Sequence, residues 1–153
     1  MNKTFAYGIL FALVIFADRV TKWIALRFLT ASYSVTSFLE FTKTMNRGIS
    51  WGLLNGTPEF GFQLITLAIA VFCALLIIYS WYRAKAGHAI WGEVLVIAGG
   101  LSNLADRLMH DGVIDFILIS WGEWSWPVFN LADAAIVIGA GLMMIESFGG
   151  TSK

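Results

Sequence analysis

Long apolar runs separated by short polar breaks make up most of this chain, and the one long exception lies at 30–59. Phe60 to Tyr82 carries no charge. As a helix it is long enough to cross a bilayer core, which takes about 20 residues. Trp81 and Tyr82 end it as interfacial anchors, and Arg83 and Lys85 follow. The N-terminal run from Phe5 to Ala17 is shorter, but no Pro or Gly stops it from continuing through residues 18–29. It imitates a secretory signal, yet bulky Ile15 stands where a cleavage site needs a small residue, so an uncleaved helix is expected. Asp18, Arg19, Lys22 and Arg27 then lie at or beyond the far interface, or face protein. A third helix is expected from about Ala89 to Leu108, with Glu93 near its start, Gly99-Gly100 in its middle, and Asn103, Asp106 and Arg107 in its last turns. A fourth runs from about Asn130 to Ile145.

Residues 30–59 are rich in Thr, Ser, Tyr and Phe and alternate in part, at Tyr33, Val35, Ser37, Leu39 and Phe41. That pattern predicts short strands, with turns near Asn46-Arg47-Gly48 and Asn55-Gly56-Thr57-Pro58. Open strand edges leave backbone groups unpaired in lipid, so the strands are placed as a small sheet on the membrane surface. The stretch from Val113 to Asp133 reads as a Gly/Trp-rich loop bridging helices three and four.

Composition supports this reading. Of the 153 residues, 58% are hydrophobic and only 13% charged, with mean hydropathy +0.75, which points to one integral-membrane domain spanning 1–153. Zero net charge gives no reason to expect nucleic acid. Cys73 is alone, so no intramolecular disulfide can form, and it reads as a small apolar residue. His88 and His110 have no companions at ligand spacing, so no metal site is expected. Four helices place both termini on one side. The compact loop at 83–88, with Arg83 and Lys85, marks that side as cytoplasmic.

On this topology the polar groups gather at one rim. Asp18 to Lys22 end helix one, Asn46 follows the strands, Asn103 to Arg107 end helix three, and Asn130 to Asp133 begin helix four. Ionisable groups at membrane depth usually face protein or a watery cavity. Asp115, between Ile114 and Phe116, is costly when ionised and should resist losing its proton. Asp133 stands near a helix N-terminus, which favours its charged form. Two carboxylates in unlike surroundings suit a division into acid and base. Structural readings compete at several positions. Asp133 can be a helix N-terminal charge and Asn130 its N-cap. Asp106 with Arg107 can be an interfacial ion pair, and Asp18 with Lys22 a helix-end salt bridge. Glu93 and Glu146, near the cytoplasmic ends, are expected to be solvated. Only Asp115 has no comfortable structural explanation.

Five blocks now carry a resemblance that covers most of the chain. They are Asp18-Arg19-Val20-Thr21-Lys22, Asn46-Arg47-Gly48-Ile49-Ser50-Trp51-Gly52, Gly99-Gly100-Leu101-Ser102-Asn103-Leu104-Ala105-Asp106-Arg107, Val113-Ile114-Asp115-Phe116 and Phe129-Asn130-Leu131-Ala132-Asp133. In this order they resemble the bacterial lipoprotein signal peptidases (signal peptidase II). The chain departs from the usual pattern at Arg19, where Gln is common, at Ser50-Trp51, where Ala-Phe is common, and at Ser102, where Gly usually precedes the Asn.

The resemblance implies an all-α membrane protein of four transmembrane helices with a small extracytoplasmic β-cradle, sited in the bacterial cytoplasmic (inner) membrane. It assigns Asp115 and Asp133 as a catalytic dyad that activates water. The implied substrate is a diacylglyceryl-modified prolipoprotein, cut just before the lipid-modified cysteine. Asn103, Arg107 and Asn130 are expected to orient the dyad or the substrate backbone. Asn46, Gly48, Asp18, Lys22 and Asp106 are expected to support the site. No cofactor or metal is implied, membrane lipid and a globomycin-type inhibitor are the other expected partners, and a monomer is expected. Trp51, Trp121, Trp124 and Trp126 are placed at the interface. The rivals are a non-enzymatic ion or proton pathway, which needs charges strung across the bilayer, and an assembly protein, which leaves Asp115 unexplained.

Overall fold

The computed structural model describes residues 2–48 and 59–149. The turn expected at Asn55 to Pro58, and the positions of Ser50, Trp51 and Gly52, lie outside the described residues. Four helices carry the fold: α1 (Lys3–Phe28), α2 (Glu59–Lys85), α3 (Trp91–Met109) and α4 (Leu131–Gly149). The N-terminal helix runs without a break past Asp18 and Lys22, as its lack of Pro and Gly after Ala17 predicts. Asn2 caps it, its side chain accepting from Thr4 N at 3.1 Å.

The helical part is turned inside out relative to a water-soluble domain. Apolar side chains of α2 such as Phe60, Leu64, Leu67, Phe72 and Leu75 are exposed, whereas Asp18 and Lys22 of α1 and Glu93 and Asp106 of α3 are buried. That inversion suits a lipid solvent. By length and composition, α2 and α4 can each cross a membrane.

The central helix is α3, which packs against each of the other three and is buried along most of its length. Its glycines let α4 come very close. A Cβ on Gly139 would lie 2.5 Å from the Gly92 carbonyl oxygen, and one on Gly99 would lie 2.4 Å from that of Ala132. Backbone meets backbone at both points, so no side-chain movement can make room. Ala132 precedes Asp133, so the Gly99 contact fixes the height of that aspartate against α3.

The sheet has four antiparallel strands in the order β1 (Tyr33–Ser34), β2 (Leu39–Asn46), β3 (Val113–Trp121) and β4 (Trp124–Ser125). Here the structure corrects the sequence reading. The sheet is not confined to 30–59, and the first half of the supposed bridging loop is its longest strand. Val113, Ile114, Asp115 and Phe116 are all buried, so β3 opens with no apolar–polar alternation to betray it. Gly122, at φ +62°, makes the tight turn from β3 into β4.

A β-bulge in β2 has a direct effect on the site. Leu39 to Phe41 pair with Ile119 to Ile117, but after a shift between Phe41 and Thr44 the partners are Thr44 with Asp115 and Asn46 with Val113. One extra residue on β2 therefore reverses which face its later side chains present. Continued without the bulge, the first register would put Lys43 opposite Asp115 and Asn46 on the other face. The bulge places Asn46 diagonally across from Asp115 on the same face.

At the end of the helices remote from the sheet, Glu93 is fully buried, contrary to the solvated position expected for it. Arg83, at the end of α2, pairs with Glu93 and reaches Glu146 at 3.1 Å, tying α2 to α3 and α4. A helix-end arginine is long enough to cover a carboxylate that its own position leaves unsolvated.

The glycine contact yields a paired test. Gly139→Ala forces a Cβ into the Gly92 backbone and should lower stability by about 1–3 kcal/mol, read as a drop in Tm in detergent. Gly141→Ala, whose added Cβ meets nothing within 4 Å, should leave the Tm unchanged.

Candidate active site

Asp115 enters the site from β3, and Asp133 enters it from the first turn of α4. Asn130 joins them. Its Nδ2 donates to Asp115 Oδ1 at 2.7 Å, while its backbone N–H donates to Asp133 Oδ2 at 3.2 Å. Its Oδ1 in turn accepts from Asp133 N at 2.9 Å. These last two bonds form a reciprocal capping box at the start of α4, so both helix-end roles foreseen for Asn130 and Asp133 are present. Asn130 is also bonded to the other carboxylate, which a cap does not require.

Two more asparagines complete the first ring of donors. Asn46 Nδ2 donates to Asp115 Oδ2 at 3.0 Å, and Asn103 Nδ2 donates to Asp133 Oδ1 at 2.8 Å. Asn46 Oδ1 accepts from Gly48 N at 2.9 Å, which anchors the chain leaving β2. Burial pushes the Asp115 carboxyl from its ordinary value of 3.8 up to about 7. The nearby charge of Asp133 adds to the rise, and the bonds from Asn46 and Asn130 oppose it.

Behind the asparagines lies a buried ionic layer. Lys22 Nζ contacts Asp18 Oδ2 at 2.7 Å, Asp106 Oδ2 at 2.8 Å and Asn103 Oδ1 at 2.7 Å. Asp18 Oδ1 also accepts from Ala132 N at 2.9 Å, in the first turn of α4. Asp106 pairs with Arg19 as well, and its Oδ2 accepts from Ile114 N at 3.3 Å. The Asp18–Lys22 salt bridge read from the sequence is therefore present, but it is buried and within the helix rather than at its end. The Asp106–Arg107 pair is replaced. Adjacent helix residues do not face each other, so Asp106 turns to α1 while Arg107 turns to the end of β2. There Arg107 donates to the carbonyls of Gly48 and Arg47, and its guanidinium lies 5.3 Å from the Phe62 ring centroid.

Every residue singled out from the sequence for the site thus lies in or against one connected cluster. Sequence reasoning missed the hydroxyl of Ser102, which donates to Asp18 Oδ2 at 2.6 Å, and the pairing of Arg19 with Asp106. Ser102 stands four residues before Asp106, a spacing that puts both on one helix face and was there to be used.

Two hollows of about 260 and 270 Å³ open beside the aspartates, and Asn46, Asp115, Asp133 and Ile136 line both. One continues along Phe129, Val137 and Ile138, and the other between α2 and α3 along Phe72, Cys73 and Gly100. No group of three or more metal-ligating side chains occurs among the described residues. Two carboxylates held by amide donors at the edge of apolar hollows can activate a water and protonate a leaving group.

Comparison with known proteins identifies the family. The sequence profile of signal peptidase (SPase) II matches residues 10–149. The lipoprotein signal peptidases of Brucella ovis and Brucella canis are each 42% identical to the chain over 113 residues, 72% of this chain and 68% of theirs. Two solved structures, each described as a bacterial membrane enzyme determined by the in meso method, share the fold. One, at 2.3 Å resolution, superposes with TM-score 0.78 and 28% identity over 96% of this chain and 90% of its own. The other, at 1.9 Å resolution, gives 0.72 and 27% over 92% and 91%. The chain belongs to the signal peptidase II family, membrane proteases that remove signal peptides from prolipoproteins.

Proposed function

We propose that the protein is an intramembrane aspartic endopeptidase that cuts a diacylglyceryl-modified prolipoprotein just before its lipid-modified cysteine, using Asp115 and Asp133. The observation that carries this reading is the meeting of two buried carboxylates from separate elements, bridged by Asn130 and lining the same two hollows. In this reading Asp115, pushed up to about 7, is assigned the proton at rest and Asp133 the role of base. Asp133 takes a proton from a water held between them as the water oxygen attacks the scissile carbonyl carbon. Asp115 hydrogen-bonds the carbonyl oxygen. As the tetrahedral intermediate collapses the C–N bond breaks, and the amine leaves with a proton from the dyad. The apolar hollows take the acyl chains, so the lipid that marks the substrate also positions its peptide.

All four helices span the bilayer in this reading, with both termini cytoplasmic. The sheet lies at the extracytoplasmic surface of the bacterial inner membrane, where Trp121 and Trp124 are exposed to the interface. An ion pathway fits less well. Between Glu93 and Asn103 the central helix carries only Val, Leu, Ile, Ala, Gly and Ser over roughly 15 Å, so charge is gathered at two ends rather than strung between them.

A gel-shift cleavage assay on a diacylated prolipoprotein tests the dyad. Asp115→Asn and Asp133→Asn should each fold and each lose at least about 100-fold in rate. Near wild-type cleavage by either folded variant would rule out the assignment.

The pH dependence has a definite sign. Between its ordinary value of 3.8 and about 7, folded Asp115 holds a proton that the unfolded chain has released. Stability therefore falls as pH rises through that window, and the acid needed for cleavage is lost near its upper end. The kcat/KM profile should show an alkaline limb near pH 7. The Tm in detergent should fall between about pH 4 and 7 for the wild type and stay flatter for Asp115→Asn.

A further inference from the structure

Ser102 is buried within α3, next to Asn103 in the chain. Its hydroxyl donates to Asp18 Oδ2 at 2.6 Å. That same oxygen receives one Lys22 proton, while Asp18 Oδ1 holds Ala132 N. Asp18 is thus bound on both oxygens, by α1 and α3 on one and by the first turn of α4 on the other.

Lys22 has three protons to give and three acceptors around it: Asp18, Asp106 and Asn103 Oδ1. This short bond, with a longer one of 3.2 Å from Asn130 Nδ2 to the same Asn103 oxygen, decides how that amide is turned. An ammonium only donates, so it must face Oδ1, and this leaves Nδ2 directed at Asp133. If Asp18 loses its other donor on Oδ2, it competes harder for Lys22, and the bond that sets the amide is the one that weakens.

We propose that Ser102 is a positioning residue for the cleavage reaction: by donating to Asp18 it frees Lys22 to fix the Asn103 amide, and so sets the hydrogen bonding of Asp133. The inference rests on Asp133 being part of the catalytic pair. The charged and titratable groups around that aspartate are Asp18, Arg19 and Lys22 on α1, Asp106 and Arg107 on α3, and Asp115 on β3. Only Asp18 is touched by the Ser102 hydroxyl among the bonds described.

The test is a double-mutant cycle in the full-length protein, with cleavage of a diacylated prolipoprotein measured against pH. Ser102→Ala should fold, lower kcat roughly tenfold with little change in KM, and move the acid limb of the profile upward by about half a pH unit or more, because Asp133 loses a donor to its carboxylate. Ser102→Thr, which keeps the hydroxyl, should restore both. In an Asp18→Asn background the Ser102→Ala change should have little further effect. A Ser102→Ala enzyme with a lower Tm but an unmoved acid limb and wild-type kcat overturns the proposal, as does a full effect that persists without the Asp18 carboxylate. Asp133→Asn run alongside separates the two ideas: if it stays active the dyad assignment fails, and if it is inactive while Ser102→Ala behaves as wild type only the positioning role fails.

Discussion

One buried ammonium, that of Lys22, holds together the parts of this site that sequence distance separates. It bonds Asp18 in its own helix and Asp106 and Asn103 in α3. Through Asp18 the same cluster reaches the N-terminus of α4, and through Asp106 it reaches the backbone at the start of β3. Taking such charges out of water is costly, and the pairing offsets that cost only where every proton and lone pair finds a partner. Asp18 and Asp106 against Lys22 and Arg19 balance in charge, so the layer behind the aspartates is neutral. A layer without net charge can stand behind Asp115 and Asp133, and the side-chain hydrogen bonds to those two carboxylates come from the three asparagines.

Backbone geometry sets the positions that this layer then holds. The α3–α4 contact through Gly92, Gly99 and Gly139 leaves no freedom in the height of α4. The bulge in β2 decides that Asn46 shares a face with Asp115. Neither feature touches Asp115 or Asp133 directly, yet each determines which amide meets which carboxylate. Gly112 belongs with them, since a Cβ there would lie 3.0 Å from the Asn46 carbonyl oxygen.

Much of this was legible in the sequence because a lipid solvent makes polar residues conspicuous. Against runs such as Phe60 to Tyr82, a carboxylate between Ile114 and Phe116 needs an explanation, and helix spacing groups Asn103 with Asp106 and Asn130 with Asp133. Pairing across the chain was harder to read. β3 begins with residues buried on both faces, so it lacks the period of two that reveals a strand. Asp106 and Arg107 looked like partners because they are adjacent, whereas helical geometry turns them apart. Glu93 looked solvated because helix ends usually are. Nothing in its own neighbourhood announces that Arg83, from a different helix, covers it. Local periodicity carries information about elements; long-range ion pairing depends on how the elements pack, which periodicity does not encode.

The two charge clusters also differ in how their carboxylates are answered. At the far end Arg83 spans Glu93 and Glu146, a bridge that ties the end of α2 to α3 and α4. At the sheet end the ionic layer is closed in the same way, but in front of it stand Asp115 and Asp133, whose donors are neutral amides and one backbone N–H. A carboxylate answered by an ammonium or guanidinium is held ionised; one answered by amides can still exchange a proton near neutral pH. Asp115, pushed up to about 7, is in that second condition. The same fold therefore sets cations against the carboxylates of its ionic layers and amides against Asp115 and Asp133, and the second arrangement opens onto the two apolar hollows.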